Sequence, residues 1–291
     1  MWEGYKNYDH FYWVNPENLI TWYNEAVTSG FPVVGERTRY FNIPASFDIE
    51  TSSYYSWGTK RATMYLWSFC LNGSTLLGRT WNEWKRTLLF LREHLPLDRV
   101  KLVIYVHNLG YEFQFMRGWF NFEDVFAVKE RRPVHASLHN IEFKCSYLLS
   151  NYALSYIGAK LLMKYPVKKD VGALDYSKIR HSSTPLTDEE VWYSVHDVQV
   201  VTSFIQEKIE NEGGIHNIPL TNTGYVRRYC RNFCFTQMQD DPALRKKISA
   251  RYHERMDSLR IMSQCEYDQL HDAFAGGFTH ADRKRSCRER V

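Results

Sequence analysis

The chain has 291 residues, 44% of them apolar and 24% charged, which fits one large globular domain with or without a smaller appendage and excludes a low-complexity polypeptide. A net charge of +4 permits contact with nucleic acid but is too small to identify it. The six cysteines form no C-x-x-C pair, no apolar stretch reaches membrane-spanning length, and the N-terminus lacks a basic region followed by an apolar one, so an unprocessed cytoplasmic protein is expected.

Residues 1–42 are set apart as an N-terminal extension. A strand then ends at Ser46-Phe47-Asp48-Ile49-Glu50-Thr51, and an alternating segment from Ala62 to Leu71 turns at Asn72-Gly73 toward Leu76-Leu77, which reads as an antiparallel meander. Thr80-Trp81-Asn82-Glu83 has capping-box spacing, and Trp81, Trp84, Leu88, Leu91 and Leu95 recur at helical intervals, predicting a helix to about His94. The apolar run Leu102 to Val106 reads as a strand buried on both faces that delivers His107-Asn108 to its end. Strands are expected around Asp124 to Lys129 and His135 to Cys145, joined by the charged turn Glu130-Arg131-Arg132-Pro133. Helices are expected near Ala153 to Met163 and from Thr187 onward, where Thr187-Asp188-Glu189-Glu190 repeats the capping box. Gly213-Gly214 and Pro219 mark a break, followed by helical segments to Ala273. The whole predicts an α/β domain with a mixed central sheet over residues 43–211 and a small, mainly helical segment over 212–291.

Asp48 and Glu50 lie two apart on the first strand, so both side chains leave one face of the sheet. Two carboxylates pointing the same way repel unless a cation sits between them, and hard divalent ions prefer such oxygen ligands. On the helix opened by Thr187, Tyr193 and Asp197 are four apart and share a flank, while Val191, Val195, Val198, Thr202 and Ile205 form a stripe that can pack on the sheet. Glu112 follows the buried strand in His107-Asn108-Leu109-Gly110-Tyr111-Glu112-Phe113-Gln114-Phe115, at the strand end where α/β domains place ligands.

These three motifs, in this order, resemble those of the DEDD exonuclease superfamily, of the subtype whose last motif carries a tyrosine. Cys145-Ser146-Tyr147-Leu148-Leu149, Asp175-Tyr176 and Thr187 to Glu190 narrow the resemblance to the N-terminal 3′→5′ exonuclease domain of protein-primed family B DNA polymerases from phages and linear plasmids. Phe274-Ala275-Gly276-Gly277 resembles the linker of that family, with Phe where Tyr is usual, and Glu112 stands where Asp is usual. The resemblance covers roughly residues 43 to 280. It implies a ribonuclease H-like fold followed by a helical segment, with the polymerase palm absent from this chain, so no template-directed nucleotide incorporation is expected.

The resemblance also implies two divalent cations, Mg²⁺ or Mn²⁺, held by Asp48, Glu50, Glu112 and Asp197, with Tyr193 orienting the nucleophilic water. Asp48 would bridge the ions. The implied substrate is the 3′ end of single-stranded DNA, contacted by Thr51, Asn108, Tyr111, Phe115, Ser146, Tyr147, Tyr176, Gly276, Gly277 and either Lys168 or Lys169. A terminal priming protein and a separate polymerase half are the further partners it implies. Two alternatives stay open at this point. One is a binding module that holds single-stranded DNA or a terminal protein without cutting, and the other is a free-standing exoribonuclease of the same superfamily, against which the Gly276-Gly277 linker argues.

Overall fold

Chain order in the computed structural model begins with strand β1 (Phe11–Trp13) and helix α1 (Pro16–Ala26), and the structure describes residues 5–27, 30–167, 174–175, 177–236, 241–258 and 263–273. Asn15 caps α1 by accepting from the backbone of Asn18, and Pro16 supplies a preformed first turn. The stretch expected as an N-terminal extension therefore contributes to the layers: Trp22 of α1 is fully buried, and its indole N–H donates to the Ser74 carbonyl at 3.0 Å. A short two-stranded ribbon follows, β2 (Val33–Val34) with β3 (Tyr40–Phe41).

The meander is β4 (Ala45–Ser56), β5 (Thr59–Leu71) and β6 (Ser74–Gly78), with the β5–β6 reversal at Asn72-Gly73, both at positive φ, as that dipeptide favours. Helix α2 (Trp81–His94) carries the complete Thr80/Glu83 capping box, and β7 (Leu102–Val106) is buried along its whole length. Helix α3 (Leu109–Met116) then leaves the end of β7. Strands β8 (Asp124–Lys129), β9 (Arg132–Leu138) and β10 (Ile141–Cys145) follow.

Two expectations are corrected here. His135 to Cys145 is a hairpin rather than one strand, because His139 and Asn140 both take positive φ and reverse the chain without a glycine. The preceding turn is only Glu130-Arg131, with Arg132 and Pro133 already in β9. Next come the short helices α4 (Ser146–Ser150) and α5 (Leu154–Tyr156), the latter running into a π-helical turn at Ile157–Leu161, so the helix expected to reach Met163 is short and locally widened. Helix α6 (Asp188–Glu212) opens with the Thr187/Glu190 box and stops at Gly213, whose φ of 72° is left-handed.

The strands form one eight-stranded sheet in the order β1-β6-β5-β4-β7-β10-β9-β8. Strands β4, β5 and β6 pair antiparallel, whereas β7 runs parallel to β4 and β10 parallel to β7. The inner order β6-β5-β4-β7-β10, with β5 alone reversed, is a ribonuclease H-like sheet. One face is covered by α2, with Phe47 stacked on Trp84 at 4.4 Å between ring centroids in a large aromatic core. The opposite face receives α6, whose Val191 and Val195 pack with Leu66 and Leu77, and whose Val201, Phe204 and Ile205 pack with Val103 and Tyr105. Burying Val, Leu or Phe contributes about 1.5–3 kcal/mol per side chain, so these two layers fix α6 on the sheet.

The chain divides into two compact units, residues 1–226 and 227–291. In the second, helix α7 (Asn222–Thr236) completes its course and α8 (Pro242–Asp257) and α9 (Gln264–Ala273) follow, matching the expected helical segment. No helix among the described residues is long and apolar enough to cross a membrane.

Candidate active site

Alternation along β4 places Phe47 and Ile49 in the core against α2, and so turns Asp48 and Glu50 toward α6. Small polar residues bring α6 close. The Ser46 hydroxyl donates to the Val198 carbonyl at 2.7 Å and lies 2.6 Å from the Thr202 hydroxyl, and Ser194 bonds to Ser68 at 3.1 Å. Asp197, adjacent to Val198, is thereby held over β4, and one ligand oxygen from each of Asp48, Glu50 and Asp197 lies within 4.8 Å of the others. Glu50 is 8% and Asp197 7% exposed. Ionised carboxylates at such a separation repel by roughly 3–4 kcal/mol per pair at an effective dielectric of about 20, a cost that a divalent cation among them reverses. The donor set, all oxygen and all anionic, fits Mg²⁺ or Mn²⁺. Tyr193 is half-buried one helical turn before Asp197.

Glu112 joins this group from a third element. Asn108 takes the left-handed conformation (φ 76°, ψ 50°) that turns the chain from β7 into α3, and Glu112 falls in the first turn, 4% exposed. Its Oε2 finds no hydrogen-bond donor among the described residues. Burial pushes the Glu112 carboxyl well above the usual carboxylate range, and the neighbouring Asp48 charge raises it further. The structure thus brings Asp48, Glu50 and Asp197 together from β4 and α6, with Glu112 of α3 buried near Asp48.

The predicted substrate contacts that fall on described residues come from the middle of β4 and from the segments that leave the ends of β7 and β10. Thr51 and Tyr111 share a hydrogen bond between their hydroxyls, and the exposed Tyr111 ring lies 5.2 Å from that of Phe115. Burial of the Tyr111 hydroxyl raises its pKa, while the bond to Thr51 opposes the rise. Asn108 is exposed at the same strand end. Ser146 is buried, with its hydroxyl 3.1 Å from His107 Nδ1, and the exposed Tyr147 ring stands edge-on to His107 at 5.7 Å. Lys168, Lys169, Tyr176, Gly276 and Gly277 lie outside the described residues.

Two positions are given no role by the motif reading. Arg180 is 4% exposed, its backbone N–H donates to Ser52 Oγ at 2.9 Å, and its guanidinium donates to Glu190 and to the Asp175 carbonyl. It ties the segment around Asp175 to β4, one residue beyond Thr51, and to the first turn of α6. A lone arginine in a polar stretch gives no periodic signal, although the acid three residues into a capping box is a natural partner. The other is His107, visible only as part of the second motif, which orients both Ser146 and Tyr147.

No protein-family model matches the sequence, and no curated protein matches it. Several solved structures are similar. Phi29 DNA polymerase complexed with primer-template DNA and incoming nucleotide substrates matches with 16% identity and a TM-score of 0.43, over 57% of this chain and 31% of that one. The same polymerase complexed with single-stranded DNA matches with 13% identity and a TM-score of 0.45, over 58% and 32%. The catalytic core of RRP6 from Trypanosoma brucei matches with 11% identity and a TM-score of 0.39, over 69% and 47%. The chain therefore spans about a third of the length of the polymerase chains and under half of the RRP6 core.

Proposed function

We propose that this chain is a metal-dependent 3′→5′ exonuclease of the proofreading kind, the N-terminal region of a protein-primed family B DNA polymerase, acting on single-stranded DNA ends. The observation that carries this reading is the gathering of Asp48, Glu50 and Asp197 within 4.8 Å, from two separate elements, with Glu112 buried beside Asp48. Packing alone gives no reason to collect these acids on one face of the sheet.

In this reading Asp48, Glu50 and Asp197 would hold one divalent cation, and Asp48 and Glu112 would hold a second. Bound there, such ions supply a hydroxide near neutral pH and stabilise the charge on the departing 3′ oxygen. Tyr193 orients the attacking water through its hydroxyl. Thr51, Asn108 and Ser146 hold sugar and phosphate, and Tyr111, Phe115 and Tyr147 stack on unpaired bases. Lys169, Tyr176, Gly276 and Gly277 complete the DNA contacts, and a terminal protein or a polymerase half are the macromolecular partners. Such contacts tolerate any base, as editing requires.

The test is incubation of the purified chain with 5′-labelled single-stranded DNA and Mg²⁺ or Mn²⁺. Stepwise shortening from the 3′ end, with release of mononucleotides and loss of both in Asp48→Ala, supports the reading. A strand that is bound yet stays intact with either metal, for wild type and Glu112→Asp alike, sinks it in favour of a binding module.

A further inference from the structure

The strand that carries Asp48 and Glu50 continues well past them. Strand β4 pairs with β5 as far as Ser56 and Thr59, whereas β6 accompanies β5 only from Trp67 onward and β7 meets β4 at Ser46. The outer half of the β4–β5 ribbon is therefore a hairpin projecting beyond the sheet. Its tip reads Tyr54-Tyr55-Ser56-Trp57-Gly58-Thr59-Lys60-Arg61, with the aromatic residues of the β4 arm and turn set across from the basic pair of the β5 arm, Tyr54 opposite Arg61 and Tyr55 opposite Lys60.

Trp57 and Gly58 form the reversal, at φ 51° and 74°. A two-residue turn of this kind favours Asn, Asp or Gly at its first position, so tryptophan there is strained. Trp57 is also 98% exposed and Tyr55 77% exposed, so neither contributes to the core. Strain at an exposed aromatic points to a contact outside the fold.

Alternation shows where that contact leads. Thr51, Ser53 and Tyr55 share one face of the ribbon, opposite Met64, Ala62 and Lys60 in register. That face starts at the Thr51–Tyr111 hydrogen bond, crosses a low floor at Ser53 and Ala62, and rises again at Tyr55 beside Lys60 before ending at Trp57. Six residues of strand carry it roughly 20 Å outward from Thr51. The reverse face is different, since Tyr54 packs edge-on to His181 at 6.3 Å.

We propose that the tip of the β4–β5 hairpin is a second binding site for single-stranded nucleic acid, in which Tyr55 and Trp57 stack on bases and Lys60 meets a phosphate of the strand whose 3′ end lies at Asp48. This rests on the nuclease reading for the direction of the strand. Its chemistry is that of a sequence-tolerant track, aromatic faces for bases and a lysine for the backbone.

The experiment measures binding of a labelled oligothymidylate trinucleotide and dodecanucleotide in Ca²⁺, for wild type, Trp57→Asn, Tyr55→Ala and Lys60→Gln. Asparagine suits the left-handed turn, so Trp57→Asn keeps the hairpin, and an unchanged melting temperature checks this. Wild type should prefer the dodecanucleotide, and Trp57→Asn or Tyr55→Ala should cut that preference by roughly five- to a hundredfold, the effect of one lost stacking contact. Lys60→Gln should reduce the slope of log affinity against log salt by about 0.7. Variants that keep the full wild-type preference and salt slope overturn the proposal and leave the tip to a protein or lipid partner. If the preference depends on Trp57 while wild type never cleaves in Mg²⁺ or Mn²⁺, the track stands and the nuclease reading alone fails.

Discussion

The sheet buries carboxylates in two places and treats them in opposite ways. In β10, Glu142 is matched: Lys101 Nζ lies 2.6 Å away, Lys144 Nζ 3.0 Å and His135 Nε2 3.8 Å. Burial alone would raise its pKa, but His135, Lys144 and Lys101 hold the carboxyl well below the usual range. Along the first half of β4, Asp48 and Glu50 converge with Asp197 of α6, and Glu112 is driven upward by burial and by Asp48. The same fold can compensate a buried acid with cations from neighbouring strands. Where it instead gathers acids, the cluster fits a divalent ion, and this contrast supports the second place as the proposed site of chemistry.

The sharpest way to break the comparison is turnover. Asp48→Ala should abolish exonuclease activity, since Asp48 belongs to the triad and is also the acid whose charge acts on Glu112, while Tyr193→Phe should retain a residue of it, about 10²–10⁴-fold below wild type. Glu142→Gln should leave the rate near wild type. A Glu142→Gln rate as low as that of Asp48→Ala would erase the distinction between the two places.

Stability separates them next. Glu142→Gln should destabilise by about 2–3 kcal/mol in denaturant titrations at neutral pH, less than for a fully buried pair because Lys101 is partly exposed. In chelator, Asp48→Asn should instead stabilise by about 1 kcal/mol, since it relieves repulsion at the site. The signs, more than the sizes, carry the test.

The pH dependence follows from the lowered Glu142 carboxyl. Its contribution is fully present above the unfolded value near about pH 4.3 and is lost as pH falls toward the lower folded value. Wild type should therefore lose stability on acidification below about pH 4.3, and Glu142→Gln should lose less over the same window. The smallest effect is expected for Glu112→Asp, which should keep or raise the exonuclease rate in a single-turnover assay.

Much of this contrast was legible from residue spacing. Asp48 and Glu50 flanked by Phe47 and Ile49 required one acidic and one apolar face, and the α6 stripe from Val191 to Ile205 required a docking face with Asp197 at its flank. Helix α3 was not legible, because it buries Leu109 and Met116 yet exposes Tyr111, which blurs its period. The β9–β10 reversal was hidden because His139-Asn140 lacks the usual glycine. Arg180 and the Glu142 cluster join residues far apart in sequence, and only packing brings them together.

Calorimetric titration of Mn²⁺ into the metal-free protein tests the central claim most directly, with wild type, Asp48→Asn and Glu142→Gln side by side. Saturable binding in wild type and Glu142→Gln, weakened tenfold or more in Asp48→Asn, is the predicted result, with roughly 1.4 kcal/mol or more lost on removing one anionic ligand. Equal uptake by Asp48→Asn and wild type, or no saturable uptake by either, would contradict the account.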